Sequence, residues 1–160
     1  MNKARLFLLC PECYLELEIK KHFTGKLYFL TALGSVFDVS DAGYRESIQN
    51  FINKKNINEI IIVNNSSCRL IQSVLNDPKT CKTYPEEILQ ILYLNCQIEF
   101  LTEKNMHERA FRLSKLNIEL QAELLREIDF IGDKIEKNET KVRGMIYERE
   151  RNHFSEVILQ

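Results

Sequence analysis

Apolar residues along the chain fall into two rhythms, short unbroken runs and longer stretches at helical spacing. Arg5-Leu-Phe-Leu-Leu-Cys10 and Lys26-Leu-Tyr-Phe-Leu-Thr31 predict strands, and Ile60 to Val63 predict a third that is buried on both faces because no polar residue alternates with them. Between the first two runs, Leu15, Ile19 and Phe23 recur at helical spacing. Pro11 suits the first turn of that helix and Gly25 its close. After a loop at Leu33-Gly34-Ser35, Ser40 and Asp41 are N-cap candidates for a helix with Tyr44, Ile48, Phe51 and Ile52 on one face. It ends near Lys54-Lys55-Asn56. This alternation implies a parallel sheet with right-handed crossovers, since parallel neighbours cannot be joined by a tight turn.

The second half reads as more helical. Leu70, Ile71, Val74 and Leu75 predict a short helix, and Asn76 to Pro85 a loop holding Cys81 as a surface thiol. Glu86 to Phe100 predicts an apolar helix. Residues 103–137 read as helical throughout, with Met106, Ala110, Leu113, Leu120, Leu124, Ile128, Ile131 and Ile135 tracing a stripe and Gly132 as a candidate break. Leu116, Ile118 and Leu125 widen the stripe enough to serve core or a partner subunit. Thr140 to Glu148 and His153 to Leu159 alternate in polarity and predict a hairpin on the sheet edge. The predicted fold class is therefore α/β, a mainly parallel central sheet flanked by helices with a C-terminal antiparallel edge hairpin, as a single domain over residues 1–160.

Composition narrows the function. With 160 residues, 44% of them hydrophobic, the chain can bury a good core. Lys plus Arg number 22 against 23 Asp plus Glu, which argues against a nucleic-acid or anionic-membrane partner. The apolar run near Met1 is too short for a signal peptide or membrane span. Five cysteines without framework spacing suggest reduced thiols in a cytoplasmic protein.

The first and third strands both end in cysteine-bearing turns, Cys10-Pro-Glu-Cys13 and Asn64-Asn-Ser-Ser-Cys68. In a parallel sheet such turns converge on one crevice at the carboxyl ends of the strands, where two or three thiols could hold zinc. The plain alternative is that cysteine is a small apolar residue at buried strand ends.

These stretches resemble the β-carbonic anhydrases. In that family a first strand ends in Cys-x-Asp-Ser-Arg, a later apolar strand in His-x-x-Cys-Gly, and a C-terminal strand has the form Gly-x-x-Tyr-Asp. Cys10-Pro-Glu-Cys-Tyr14, Ile61 to Arg69 and Val142-Arg-Gly-Met-Ile-Tyr-Glu148 follow in the same order. Leu33-Gly34-Ser35 falls where the family has Ala-Gly-Asn, and Leu116-Asn-Ile-Glu-Leu-Gln121 is similar to its Asn-Val-x-x-Gln helix. The resemblance implies a β-carbonic-anhydrase-like fold and a homodimer or higher homo-oligomer, because the family builds its sites across a dimer interface.

The same resemblance places Cys10 and Cys68 at the two thiolate positions of the zinc site and Asn65 at that of the histidine ligand. Glu12 stands for the aspartate of the family's Asp–Arg pair and Tyr14 for its arginine. An amide is a poor zinc ligand beside imidazole, and a phenol cannot make the bidentate grip of guanidinium. The expectation is therefore a non-catalytic relative without zinc and without hydratase activity. One alternative is a zinc lyase with altered ligands, in which Cys13 joins Cys10 and Cys68 as a third thiolate and Glu12 or water is the fourth ligand. A second is a dithiol redox protein, since Cys-Pro-x-Cys between strand and helix is also similar to the active turn of glutaredoxin-like proteins. A small anion could bind where the helix after Cys68 begins, with Asn65, Ser66, Ser67 and Arg69 around it. Ser66 and Ser67 otherwise read as helix caps, and His22, His107 and His153 as solvated.

Overall fold

Seven consecutive buried residues, Glu59–Asn65, form the central strand β3, with Ile60 to Val63 each at most 1% exposed. The chain is described here from a computed structural model covering residues 3–80 and 82–159, so Cys81 lies outside the described residues. The other strands are β1 (Ala4–Leu9), β2 (Lys26–Thr31), β4 (Lys141–Glu148) and β5 (His153–Val157). Among the described residues they make one sheet in the order β2-β1-β3-β4-β5. The first four are parallel, and β5 pairs antiparallel with β4 at the edge, as the sequence predicts. The direction of winding reverses between β1 and β3. That switch point opens a crevice at the carboxyl ends of those two strands.

Helices cover both faces. Phe7, Leu9, Ile61 and Val63 project into one core with Leu15, Ile71, Leu89 and Leu113. Their alternate neighbours Leu6, Leu8, Ile60 and Ile62 project into the other with Ile48, Ile52, Ile118 and Ile131. Helix α1 (Glu16–His22) is preceded by a separate 3-10 turn at Pro11–Cys13, so Pro11 opens the turn and not the helix. In α2 (Ala42–Lys55) the cap is Asp41, whose carboxylate accepts the Tyr44 N–H at 2.6 Å. The short helix α3 (Arg69–Asn76) follows Cys68 directly.

The second half departs from the pattern reading in three places. Helix α4 (Tyr84–Asn95) starts inside the segment expected as loop, because Thr83 and Glu86 form a capping box. It stops at Cys96, and α5 (Gln97–Phe100) is a separate turn of helix. The expected continuous helix over 103–137 is two, α6 (Met106–Arg126) and α7 (Asp129–Glu136), split where Ile128 adopts an extended conformation. Gly132 lies inside α7, where a Cβ would stand 2.6 Å from the Arg126 carbonyl; it permits close approach and does not mark the break.

The apolar stripe on α6 is also re-phased. Its buried residues are Ala110, Leu113, Ser114, Asn117, Ile118, Gln121, Ala122 and Leu125, while Met106 is exposed. Ala110 and Leu113 belong to one core and Ile118, Ala122 and Leu125 to the other, so α6 crosses from one face of the sheet to the other. The crossing is where the buried polar residues sit. No helix among the described residues is long and apolar enough to cross a membrane.

Candidate metal centre

The turn after β1 and the turn after β3 meet at the switch point. Cys13 donates its backbone N–H to the Cys10 carbonyl across the Pro11–Cys13 turn, which folds the second thiol back beside the first. Cys68 arrives from the other side, its N–H bonded to the Asn65 carbonyl at 2.9 Å. The three sulfurs lie within 4.8 Å of one another, and all three residues are 2–3% exposed. No other such group of potential metal ligands occurs among the described residues.

Crowding three thiols makes their protonation mutual. Cys10 is held well below the ordinary thiol range by hydrogen bonds from Cys13 and Cys68, assisted by the Gly34 N–H, which reaches its sulfur at 3.2 Å. Cys13 is pushed up, first by its hydrogen bonds to Cys10 and Cys68 and then by burial. Cys68 is pushed up to about 11, first by its bond to Cys10. The cluster thus carries one thiolate readily and resists a second.

Zinc in tetrahedral geometry with bonds of about 2.3 Å places its sulfurs about 3.8 Å apart. Three buried sulfurs inside 4.8 Å, an all-thiol donor set, fit that ion. Cys13 brings the number of sulfurs at the switch point to three.

Asn65 takes no part in it. Its Oδ1 accepts the Ser67 N–H at 2.8 Å and closes the turn before α3. The helix N-cap is Cys68, so Ser66 and Ser67 are not the caps expected of them. The Ser66 hydroxyl lies 3.4 Å from the Tyr147 carbonyl as its donor. These bonds give protein partners to several of the groups expected around an anion.

Arg69 is occupied as well, by Glu12. Its Nε donates to Oε2 at 3.0 Å and its Nη2 to Oε1 at 2.7 Å, a side-on bidentate pair. Tyr14, at the position matched to the family's arginine, is 78% exposed with a left-handed backbone, φ 52°. The carboxylate in this turn therefore has a guanidinium partner, but from 57 residues further along the chain. Sequence reading placed Arg69 beside an anion and missed this pairing. A second arginine, Arg149, donates from Nη2 to the Cys13 carbonyl at 3.0 Å.

Supporting polar contacts match the motifs that carried the resemblance. Asn117 donates from Nδ2 to the Gly34 carbonyl at 3.0 Å and to Asn64 Oδ1 at 3.2 Å, and Gln121 Oε1 accepts the Phe37 N–H at 3.0 Å. They fix the Leu33–Ser35 turn, and with it the Gly34 N–H that faces Cys10. Outside the site, His107 is not simply solvated. It pairs with the buried carboxylate of Glu148 at 3.1 Å.

A mainly parallel central sheet flanked by helices, with an antiparallel C-terminal edge strand, places the chain among α/β proteins of the β-carbonic anhydrase fold. The family model for carbonic anhydrase matches residues 14–153, and the chain belongs to the β-carbonic anhydrase family. Its fold is similar to that of tetrameric β-carbonic anhydrase from the ascomycete Sordaria macrospora, at 17% identity with a TM-score of 0.82 over 98% of this chain and 81% of that one. It is similar to wild-type CafD, a β-carbonic anhydrase of Aspergillus fumigatus, at 18% identity and TM-score 0.81, covering 98% and 90%. The Coccomyxa β-carbonic anhydrase solved with acetazolamide gives 13% identity and TM-score 0.78 over 99% and 73%. No curated protein sequence matches the chain.

Proposed function

We propose that this chain is a zinc-dependent lyase of the carbonic anhydrase type with altered ligands, in which Cys10, Cys13 and Cys68 hold the metal. The observation that carries the reading is the convergence of three buried sulfurs within 4.8 Å. Zinc held by these three residues would supply Lewis-acid chemistry, lowering the pKa of water for attack on a small electrophile such as carbon dioxide. Cys13 supplies the donor that Asn65 withholds. This is why the reading departs from the zinc-free expectation drawn from the sequence.

The chain's own residues set the character of the site. Three thiolates carry one more negative charge than two thiolates and an imidazole, so the metal is less electrophilic and the reaction slower at neutral pH. The Glu12–Arg69 pair holds the carboxylate in the turn by two hydrogen bonds. The reading needs reduced thiols, in keeping with the cytoplasmic setting expected from the sequence. A homo-oligomer is part of it, since the similar Sordaria enzyme is tetrameric.

A second reading, a non-catalytic relative, is favoured by the near-complete burial of all three thiols in the single chain, which suits a closed site. Zinc content of protein purified without added metal, paired with a stopped-flow carbon dioxide hydration assay, separates the two. The lyase reading predicts bound zinc and hydration that grows toward alkaline pH and vanishes in Cys68→Ala. Zinc without hydration at any pH establishes the second reading, and absence of zinc overturns the metal-centred account.

A further inference from the structure

The three sulfurs come from two turns that share no backbone hydrogen bond through the metal-facing residues themselves. Cys10 and Cys13 lie in the turn after β1, and Cys68 lies in the turn after β3, 55 positions beyond Cys13 in the sequence. Beyond the contacts among the thiols themselves, a side-chain bridge spans the mouth between these turns. It is the bidentate pair of Glu12, which sits between the first two cysteines, with Arg69, which directly follows the third. We propose that Glu12–Arg69 is a clamp that sets the spacing of the two turns and thereby the metal affinity of the centre, making Arg69 a positioning residue.

Three observations support the clamp. Both partners are immediate chain neighbours of thiol-bearing residues, so the pair ties together the two backbone segments that carry the sulfurs. The grip is side-on and bidentate, which fixes orientation as well as distance, something a single lysine contact would not do. The turn is also braced from its other side by Arg149 on the Cys13 carbonyl, so pulling from Arg69 works against a held backbone. An ion pair as exposed as this one, with the Arg69 side chain 79% accessible, adds little to folding. Its consequence is local. Partners that orient metal ligands typically change affinity by about 10–100-fold, and an exposed clamp belongs at the low end.

The inference rests on the three-thiolate reading, and the two can fail separately. Zinc affinity of the intact chain is measured by competition with a chromophoric chelator, for wild type, Arg69→Ala, Glu12→Gln and the charge swap Glu12→Arg with Arg69→Glu, at low and high salt. The clamp predicts about a tenfold loss of affinity in each single variant, recovery in the swap, and a fall of affinity with salt that is steeper in wild type than in Arg69→Ala. Thermal unfolding of the metal-free variants should stay close to wild type. Wild type that binds no zinc removes the three-thiolate reading and the clamp with it. Wild type that binds zinc with an affinity unchanged in Arg69→Ala and Glu12→Gln overturns the clamp alone, as does a loss that the swap fails to recover.

Discussion

At Cys13 the side chain is a soft donor turned toward two others, and serine there would keep the volume while removing the sulfur. Cys13→Ser should lower zinc affinity by more than about a hundredfold, the most that loss of a mere supporting partner costs, as read by chelator competition. At the other end of β3, Glu59 is a buried carboxylate gripped by Arg5 at 2.5 Å and Arg143 at 3.0 Å. Burial opposes its ionisation, but the two guanidinia outweigh that and hold it below the usual carboxylate range. A depressed folded-state pKa gives stability that is present above the unfolded value of about 4.3 and lost as pH falls through the folded one. Glu59→Gln should therefore cost about 2 kcal/mol near neutral pH and flatten the acid limb of stability against pH, measured by urea unfolding. A wild-type acid limb as flat as the variant's would contradict this account of the pair.

Among the elements, α6 joins the two layers, because its residues pass from one core to the other, with Asn117 bonded to Asn64 at the end of β3. Gly144 in the middle of β4 lets the second half of α6 pack closely on the sheet, since a Cβ there would stand 2.3 Å from Ile118 Cγ2. Gly144→Ala should destabilise by about 1–3 kcal/mol through overpacking, checked by thermal or chemical unfolding. The strands and their edge hairpin were legible in the sequence because each is a short apolar or alternating run with turn residues at its ends. The phase of α6 was not, because Asn117 and Gln121 interrupt its apolar face to satisfy Gly34, Asn64 and Phe37. A stripe drawn through apolar residues alone avoids these positions. Thr83 and Glu86 carried a readable capping signal for α4, outweighed by the turn-forming residues around them. The extended Ile128 that ends α6 has no local signature.

For the whole molecule, the candidate site was half legible. The turns after β1 and β3 were placed by strand order and the switch-point rule, which need only hydrophobic pattern. Cys13 was legible as a candidate third thiolate from Cys-Pro-x-Cys, whereas the partner of the Glu12 carboxylate was not, because Arg69 lies 57 positions away and its placement depends on where α3 begins. Two of the departures from the family motifs, Asn65 and Tyr14, are offset in the proposed site by residues from other positions, Cys13 as a sulfur donor and Arg69 as the partner of Glu12. Metal binding by this cluster should release protons, because Cys13 and Cys68 are both pushed up and must lose theirs to coordinate. Zinc affinity should therefore rise steadily with pH across the neutral range, followed by competition titrations at several pH values. A pH-independent affinity would exclude these thiols as ligands. Bound zinc should in turn raise the unfolding temperature, and a chelator should lower it.

Whether three sulfurs share one metal is read by X-ray absorption at the zinc edge on protein purified without added metal. Three sulfur scatterers at about 2.3 Å, with a single lighter atom completing the shell, is the predicted result. Two sulfurs with two or more nitrogen or oxygen neighbours, or a protein that carries no zinc, would contradict it.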